Sequence, residues 1–243
     1  MWASLKLMFF YSVSIPLGAL LGLPWTWITG DASLLYRMGT WVAYTGVRVA
    51  GVRVHITGLE NVPAGVACIF MANHVSNLDP PILLPLLPGR TSALVKSQLM
   101  RVPILGAALR LAGFISVERD RKRESAIANI QQATRVMAAG IHITVFPEGT
   151  RSRDGRMLPF KKGPFYLAEQ AGAPILPISI HGTESMMRKG SVRVFPADAY
   201  VQFHPPLVPA NYASREDLME ATRQSIASGL PEWMRGTAPG DQP

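Results

Sequence analysis

Ile141-His142-Ile143-Thr144-Val145-Phe146-Pro147-Glu148-Gly149-Thr150-Arg151-Ser152 is the stretch that decides the fold. Ile141 to Phe146 is a short apolar and β-branched run, the pattern of a buried strand. Directly before it, residues 121–139 set Ile127, Ile130, Thr134 and Met137 on one face at helical spacing, and Gly140 stops that helix. Directly after it, Pro147 to Ser152 form a Gly-containing loop at the strand's carboxyl end. A helix feeding a buried strand that ends in a polar loop is the repeating unit of an α/β sheet.

The alternation continues in both directions. Upstream, Val52-Arg53-Val54-His55-Ile56 reads as a half-buried strand, and Val66 to Met71 as a buried one. Pro81 to Leu87 reads as a helix, Ser92 to Val95 as a strand, and Gln98 to Leu111 as a helix broken at Pro103. Gly113-Phe114-Ile115-Ser116-Val117 is another strand. Downstream, Gly163 to Gly172 is a helix and Pro174 to Ile180 a strand. Val192–Phe195 and Tyr200–His204 read as a terminal antiparallel pair, and Ser214 to Ser228 as a last helix. The expectation is α/β: a mixed, largely parallel sheet flanked by helices, with an N-terminal apolar membrane-associating helical segment. The segments are 1–50 for that helical part, 51–235 for the α/β domain, and 236–243 for a disordered tail.

Composition narrows the partners. The 243 residues are 48% hydrophobic and only 16% charged, apolar for a chain that meets water alone. The formal charge is +8, which favours anionic partners such as phosphorylated metabolites or an anionic membrane face. Aromatic residues do not interleave with the basic clusters, and no nucleic-acid-binding signature is present, so nucleic acid is not expected. Cys68 is the single cysteine, which excludes a disulfide framework and a cysteine-rich metal site. No metal is expected, since no His and carboxylate cluster stands at ligand spacing.

The N-terminus is uncharged from Leu7 to Ile28, about the ~20 residues a spanning helix needs. Pro16 and Pro24 interrupt it. Three readings stand open: a broken or single transmembrane helix, a hairpin of short helices lying in one leaflet, and a signal peptide or core helix. Trp2, Trp25, Trp27 and Trp41 suit a headgroup interface or a packed core. From Asp31 to about Ala50 the chain reads as a second helix.

Chemistry concentrates at two loops. Asn73-His74-Val75-Ser76-Asn77-Leu78-Asp79 places an imidazole five positions from a carboxylate, a spacing that fails on a regular helix and fits a loop. Asp79-Pro80-Pro81 supplies the loop-to-helix junction, with Asp79 as N-cap and proline at the first helical position. A carboxylate that accepts the ring N–H fixes its tautomer and stabilises its protonated form, which would make His74 a general base, whereas a plain cap would leave it a solvated loop residue. The second loop, Glu148-Gly149-Thr150-Arg151-Ser152, offers backbone N–H groups around Gly149, hydroxyls from Thr150 and Ser152, and the planar fork of Arg151 to an anion. Glu148 would hold a hydroxyl or orient Arg151; an ordinary turn is the plainer reading. Arg119 and Lys96 close two further strands, Lys96 equally able to snorkel. Phe160-Lys161-Lys162-Gly163 reads as a basic rim. His55, His142, His181 and His204 read as structural, and Ser76 sits in no nucleophile elbow. Both loops and Arg119 fall at carboxyl ends of strands, where ligands of such sheets gather.

On these residues the chain resembles the glycerophospholipid acyltransferase family, especially the 1-acylglycerol-3-phosphate acyltransferases. Asn73-His74-x4-Asp79 looks like the family's catalytic first block. Gly113 to Arg119 looks like the second, and Phe146 to Ser152 like the third, almost letter for letter. Leu176-Pro177-Ile178 resembles the fourth. Glu118 stands where relatives often carry Asp or a neutral residue. Lys96-Ser97-Gln98-Leu99 lacks the acidic residue that often follows this lysine.

The resemblance implies an acyl group passing from acyl-CoA or acyl carrier protein, as co-substrate, to the sn-2 hydroxyl of lysophosphatidate, with no other cofactor. It assigns His74 and Asp79 to catalysis, Lys96, Arg119, Glu148, Gly149, Thr150 and Arg151 to substrate binding, and Pro177 to the acyl-donor pocket. It places the protein on the cytoplasmic face of the cell membrane, against anionic lipid. Another lysolipid or glycerol 3-phosphate as acceptor, and a non-catalytic protein that binds anionic lipid, are the alternatives.

Overall fold

The protein is described by a computed structural model covering residues 2–117, 123–187, 191 and 193–236. Two helices open the chain, α1 at Trp2–Thr29 and α2 at Ser33–Val49. They pack antiparallel, with Gly22 against Leu35 and Gly46 against the Tyr11 ring. Small residues let the two backbones approach. A Cβ on Gly46 would stand 2.4 Å from the Tyr11 ring. α1 runs unbroken through Pro16 and Pro24, against the expected interruption. Proline's fixed φ is itself helical, and the hydrogen bonds it forgoes are offset here by packing on α2.

The sheet begins with β1 (Arg53–Thr57) and β2 (Ile69–Ala72). α3 (Asp79–Leu83) leads to β3 (Thr91–Lys96), and α4 (Ser97–Met100) and α5 (Leu105–Leu111) to β4 (Ile115–Val117). α6 (Arg123–Ala138) delivers β5 (His142–Val145), α7 (Gly163–Ala171) delivers β6 (Ile175–His181), and α8 (Thr183–Met186) follows. β7 (Asp198–Phe203) and α9 (Arg215–Ser228) close the order. Among the described residues the strands lie in the order β1-β7-β6-β2-β5-β3-β4. Pairings are parallel except β6 with β7. The mixed, largely parallel sheet flanked by helices is therefore present.

The expected terminal antiparallel pair is not. Val192 lies outside the described residues, and 193–197 form no strand. β7 pairs with β6 instead, Ile180 opposite Val201. Its alternation, with Ala199, Val201 and Phe203 buried between exposed neighbours, suits a strand with one covered face. Of the tail expected at 236–243, residues 237–243 lie outside the described residues.

Period-two alternation divides the core. Phe70 and Ala72 of β2 face one layer with Leu176, Ile178 and Ile180 of β6. Ile69 and Met71 face the other with Ile143, Phe165 and Leu167. Leu7, Val47 and Ala50 belong to the first layer, so the helical hairpin shares its core with the sheet. Burying each such side chain contributes roughly 1.5–3 kcal/mol. That is enough to fix which side of the sheet the hairpin occupies.

Candidate active site

Sheet register brings the two reactive loops together. β2 and β5 are parallel neighbours with Met71 opposite Val145. The next residues on each strand, Ala72-Asn73-His74 and Phe146-Pro147-Glu148, therefore emerge side by side. The loops are then stitched. Ser152 N–H donates to the His74 carbonyl at 2.9 Å, and His74 N–H donates to Glu148 Oε1 at 2.9 Å. Asn73, fully buried, fixes the other side by exchanging two 2.8 Å bonds with the main chain of Ile180 on β6.

His74 and Asp79 meet as expected, Nδ1 to Oδ2 at 2.8 Å. Asp79 is fully buried and His74 keeps 16% of its side-chain surface. Asp79 does not cap its helix. The helix starts at Asp79 itself, with Leu78 at the cap position. Of the two positions a capping carboxylate reaches, Pro81 has no N–H and Ile82 N–H goes to the Leu78 carbonyl at 3.0 Å. Oδ2 instead turns back to accept from Val75 and Ser76 N–H, both at 2.8 Å, and Oδ1 accepts from Thr183 Oγ1 at 2.6 Å. An acceptor-only carboxylate holds the proton on Nδ1, which leaves Nε2 with a free lone pair. The ring stacks on Phe146, centroids 4.0 Å apart at 18°.

The third-block loop is built differently from the expected anion cradle. Gly149 adopts φ 70°, the left-handed turn that glycine favours. Its N–H, however, donates to the Phe146 carbonyl at 2.9 Å. The Ser152 hydroxyl donates to Asp154 Oδ1 and receives Gly155 N–H, so it serves the turn and not an anion. Glu148 is buried, and its second oxygen accepts from Leu158 N–H at 3.1 Å. Its carboxyl grips backbone on both sides and positions His74. Loss of hydration pushes that carboxyl up to about 8. The nearby Asp79 charge adds to the rise, and its two N–H donors and Arg223 work against it.

Thr150 and Arg151 remain on the rim of this loop, half-buried. Lys161, expected only as rim, runs its stem beside Gly149, 3.6 Å from where a Cβ would stand. Lys162 is held by Glu216 at 2.7 Å. Lys96 closes β3 opposite Val117. Arg119 lies outside the described residues, just past β4. Pro177 is buried inside β6 opposite Met71, four residues short of the strand's carboxyl end. Its carbonyl accepts His204 N–H at 3.0 Å. It sits in the sheet below the dyad.

Other nucleophile and base candidates resolve as structural. The Cys68 thiol is pushed up to about 11 by burial. Ser76 Oγ donates to the Met187 carbonyl at 3.0 Å. Ser179 lies 2.7 Å from His204 Nε2. Its proton goes to the Ile226 carbonyl at 2.6 Å, so the imidazole is donor there and not base. His55 is not without a carboxylate. It meets Asp198 at 2.7 Å, but on the exposed sheet edge, 143 residues away in sequence. Among the described residues no group of three His, Cys, Asp or Glu side chains is disposed to hold a metal ion.

Sequence reasoning passed over Thr183 and Phe146. Phe146 had a signal, since it ends the strand beside the His loop. Thr183 had none, because its link to Asp79 spans 104 residues.

Comparison with known proteins agrees with this geometry. The sequence model described as Acyltransferase matches residues 53–181. A 1-acyl-sn-glycerol-3-phosphate acyltransferase of Limnanthes douglasii is 35% identical over 186 residues, 76% of this chain and 64% of that protein. That of Borreliella burgdorferi is 32% identical over 75% of this chain and 73% of its own. The human alpha enzyme is 32% identical over 75% and 65%. The match thus spans a little under two thirds of several of these relatives. The crystal structure of the 1-acyl-sn-glycerophosphate acyltransferase PlsC from Thermotoga maritima superposes with a TM-score of 0.81 at 25% identity, over 97% of this chain and 96% of that one. The matched region contains the His74–Asp79 pair, the Glu148 loop and the strands that join them, and the chain belongs to the acyltransferase family.

Proposed function

We propose that this protein transfers a fatty acyl group from a thioester, acyl-CoA or acyl carrier protein, to the sn-2 hydroxyl of lysophosphatidate. The observation that carries the reading is the 2.8 Å bond from His74 to a fully buried Asp79. It sets the imidazole with Nε2 free beside the Glu148 loop. His74 Nε2 takes the hydroxyl proton as the oxygen attacks the thioester carbonyl. The C–S bond breaks, the imidazolium returns its proton to the departing sulfur, and an ester remains. No covalent acyl-enzyme is needed, which agrees with the occupied hydroxyls of Ser76 and Ser179. Arg151, Thr150 and the Gly149 turn, with Lys96 at the end of β3 and Arg119, which follows β4 in sequence, would hold the acceptor's phosphate. Pro177 would contribute to the acyl-donor pocket only as part of its floor. No metal or organic cofactor enters this scheme.

The N-terminal hairpin would hold the site at a lipid surface. Trp2, Trp25, Trp27 and Trp41 are all exposed along it. α2 has 17 residues, about 25 Å at 1.5 Å each, and carries Arg37 and Arg48. That is short of a ~30 Å hydrocarbon core; α1 by itself is long and apolar enough to cross, but its antiparallel pairing with so short a partner favours a hairpin lying in one leaflet. The net charge of +8 favours the anionic cytoplasmic face.

The test is purified protein with a panel of lysolipids and glycerol 3-phosphate against both thioesters, read by product mass. Lysophosphatidate should be the preferred acceptor. His74→Ala and Asp79→Asn should each lose on the order of 10²–10⁴ in turnover at unchanged melting temperature. Retained turnover in His74→Ala would sink the mechanism, and preference for another acceptor would sink the substrate.

A further inference from the structure

Asp79 receives four hydrogen bonds, and three of them come from its own loop and end on Oδ2. The fourth reaches Oδ1 from Thr183, a residue 104 positions away on the far side of β6, at 2.6 Å. Thr183 is fully buried. We infer that Thr183 is a positioning residue for acyl transfer. Its hydroxyl fixes the rotation of the Asp79 carboxylate so that Oδ2, and not Oδ1, meets the imidazole. The inference rests on His74 acting as the base.

The two carboxylate oxygens do different work. Oδ2 gathers three donors at one point, while Oδ1 has the single hydroxyl named here. A carboxylate free to turn about its Cβ–Cγ bond could exchange its oxygens and loosen the ring. One short bond on Oδ1 opposes that turn. The hydroxyl has a single proton, and an acceptor-only partner claims it, so its direction is fixed.

The surroundings raise the value of this donor. The carboxyls of Glu148 and Glu184 both lie close enough to feel the Asp79 charge. Among the described residues, Arg223 acts on Glu148 in this corner, and the His74 ring faces Asp79 itself. Buried there, with no cation among the described residues bonded to its oxygens other than the His74 ring, the Asp79 carboxylate gains more from each donor than it would in water.

The fold also aims Thr183. β6 is central in the sheet, and Asn73 pins its end to β2. Gly182 then turns with φ 90°, where a Cβ would stand 2.2 Å from the Asp198 carbonyl. α8 is tied down at its other end by Ser76 Oγ on the Met187 carbonyl. Thr183 does not cap α8, whose cap residue is Gly182 with no side-chain bond. Its hydroxyl serves Asp79.

Thr183→Val keeps the shape and removes the hydroxyl; Thr183→Ser keeps the hydroxyl. In Thr183→Val, kcat should fall on the order of tenfold, while KM for acceptor and thioester stays within about twofold. The acidic limb of the kcat–pH profile should move to higher pH by about one unit, because a carboxylate stripped of a donor lets the dyad hold its proton more tightly. Thr183→Ser should restore both. The His74 Nδ1–H proton resonance, read without substrate, should be displaced in Thr183→Val and return in Thr183→Ser. An unmoved resonance and an unchanged pH limb in Thr183→Val would overturn the inference. So would a Thr183→Ser enzyme as impaired as Thr183→Val at equal melting temperature, since the methyl group would then be what matters. If Thr183→Val does not fold, the serine variant decides alone. If wild-type protein transfers no acyl group, the proposed activity fails, and the resonance still judges the Thr183 contact.

Discussion

Glu148 shows how one side chain can be forced between two demands. Its oxygens accept from the main chain on either side, which suits an anion. Its burial, and Asp79 nearby, oppose that charge and push it up to about 8 from an ordinary 4.5. The folded protein therefore holds this proton where the unfolded chain has released it. Stability from this group is full below the unfolded value and is lost as pH rises through about 5 to 8. Glu148→Gln cannot ionise and removes that slope. Across thermal melts from pH 5 to 8, wild type should lose ground to Glu148→Gln; a gap between the two that stays constant with pH would refute the shifted carboxyl. The contrast with Asp198 is instructive. There Arg53 and then His55 hold an exposed carboxyl well below its usual range. The bonds in the two His–Asp pairs are nearly equal, 2.8 and 2.7 Å. Only the pair five positions apart was legible in the sequence. The other spans two strands, and a linear reading had no way to join them. What separates the two is place: one is buried beside a polar loop, and the other is open on an edge strand.

At the scale of elements, the neighbouring strands β2, β5 and β6 carry the site: β5 stops opposite Met71, β2 ends one residue later, and β6 runs three residues past the partner of Ala72. Asn73 uses that overhang. It supplies one donor and one acceptor to Ile180 just where the β2–β6 ladder stops, so the His loop leaves the sheet at a fixed angle. Asn73→Ala would leave a buried N–H and a buried carbonyl unpaired, at about 1–3 kcal/mol for each group. Chemical denaturation should show a loss of about 2–4 kcal/mol with an unchanged m-value, and turnover should fall through the displaced His loop. A loss under about 0.5 kcal/mol would mean that the ladder, and not Asn73, sets the angle. Asn73 could be quoted from the sequence, yet its partner could not. Short runs such as Ile69–Ala72 and Ile175–Ile178 are readable as strands because they are apolar on both faces, too short for a helix, and flanked by turn residues. β7 was readable as a strand but not by its partner, since strand order is a long-range property. The cap assigned to Asp79 failed for a reason half present in the letters: Pro81 removes one of the two N–H groups a cap can accept, and Ile82 N–H is taken by the Leu78 carbonyl, which no letter shows.

For the molecule as a whole, the open question is why so apolar a hairpin is left uncovered. α1 buries few side chains, and Trp2, Phe9, Leu20, Trp27 and Ile28 stand mostly in the open. Water would oppose this surface at roughly 25 cal/mol for each Å² exposed, a cost that the proposed lipid contact would relieve. Its base is fixed to the catalytic domain. Leu7 enters the core of the sheet, and the Ser4 hydroxyl accepts Val194 N–H at 2.8 Å. On the proposed reading, the far end near Trp25 to Ile28 would enter the headgroup region, with Asp31 at the turn kept in contact with water. Exposure reaches 84% at Trp27 and 76% at Ile28, so substitution there removes nothing from the fold. In flotation with vesicles containing phosphatidylglycerol, wild-type protein should rise with the lipid and bind less well as salt screens its basic surface. Trp27→Glu with Ile28→Glu should weaken binding by 100-fold or more, since each side chain contributes roughly 1.5–3 kcal/mol when buried, and should leave the melting temperature and turnover on a detergent-dispersed acceptor unchanged. Undiminished flotation would place the lipid contact elsewhere on the molecule. Lost turnover on dispersed acceptor would mean instead that the hairpin shapes the site, with membrane contact only a consequence of its exposed side chains.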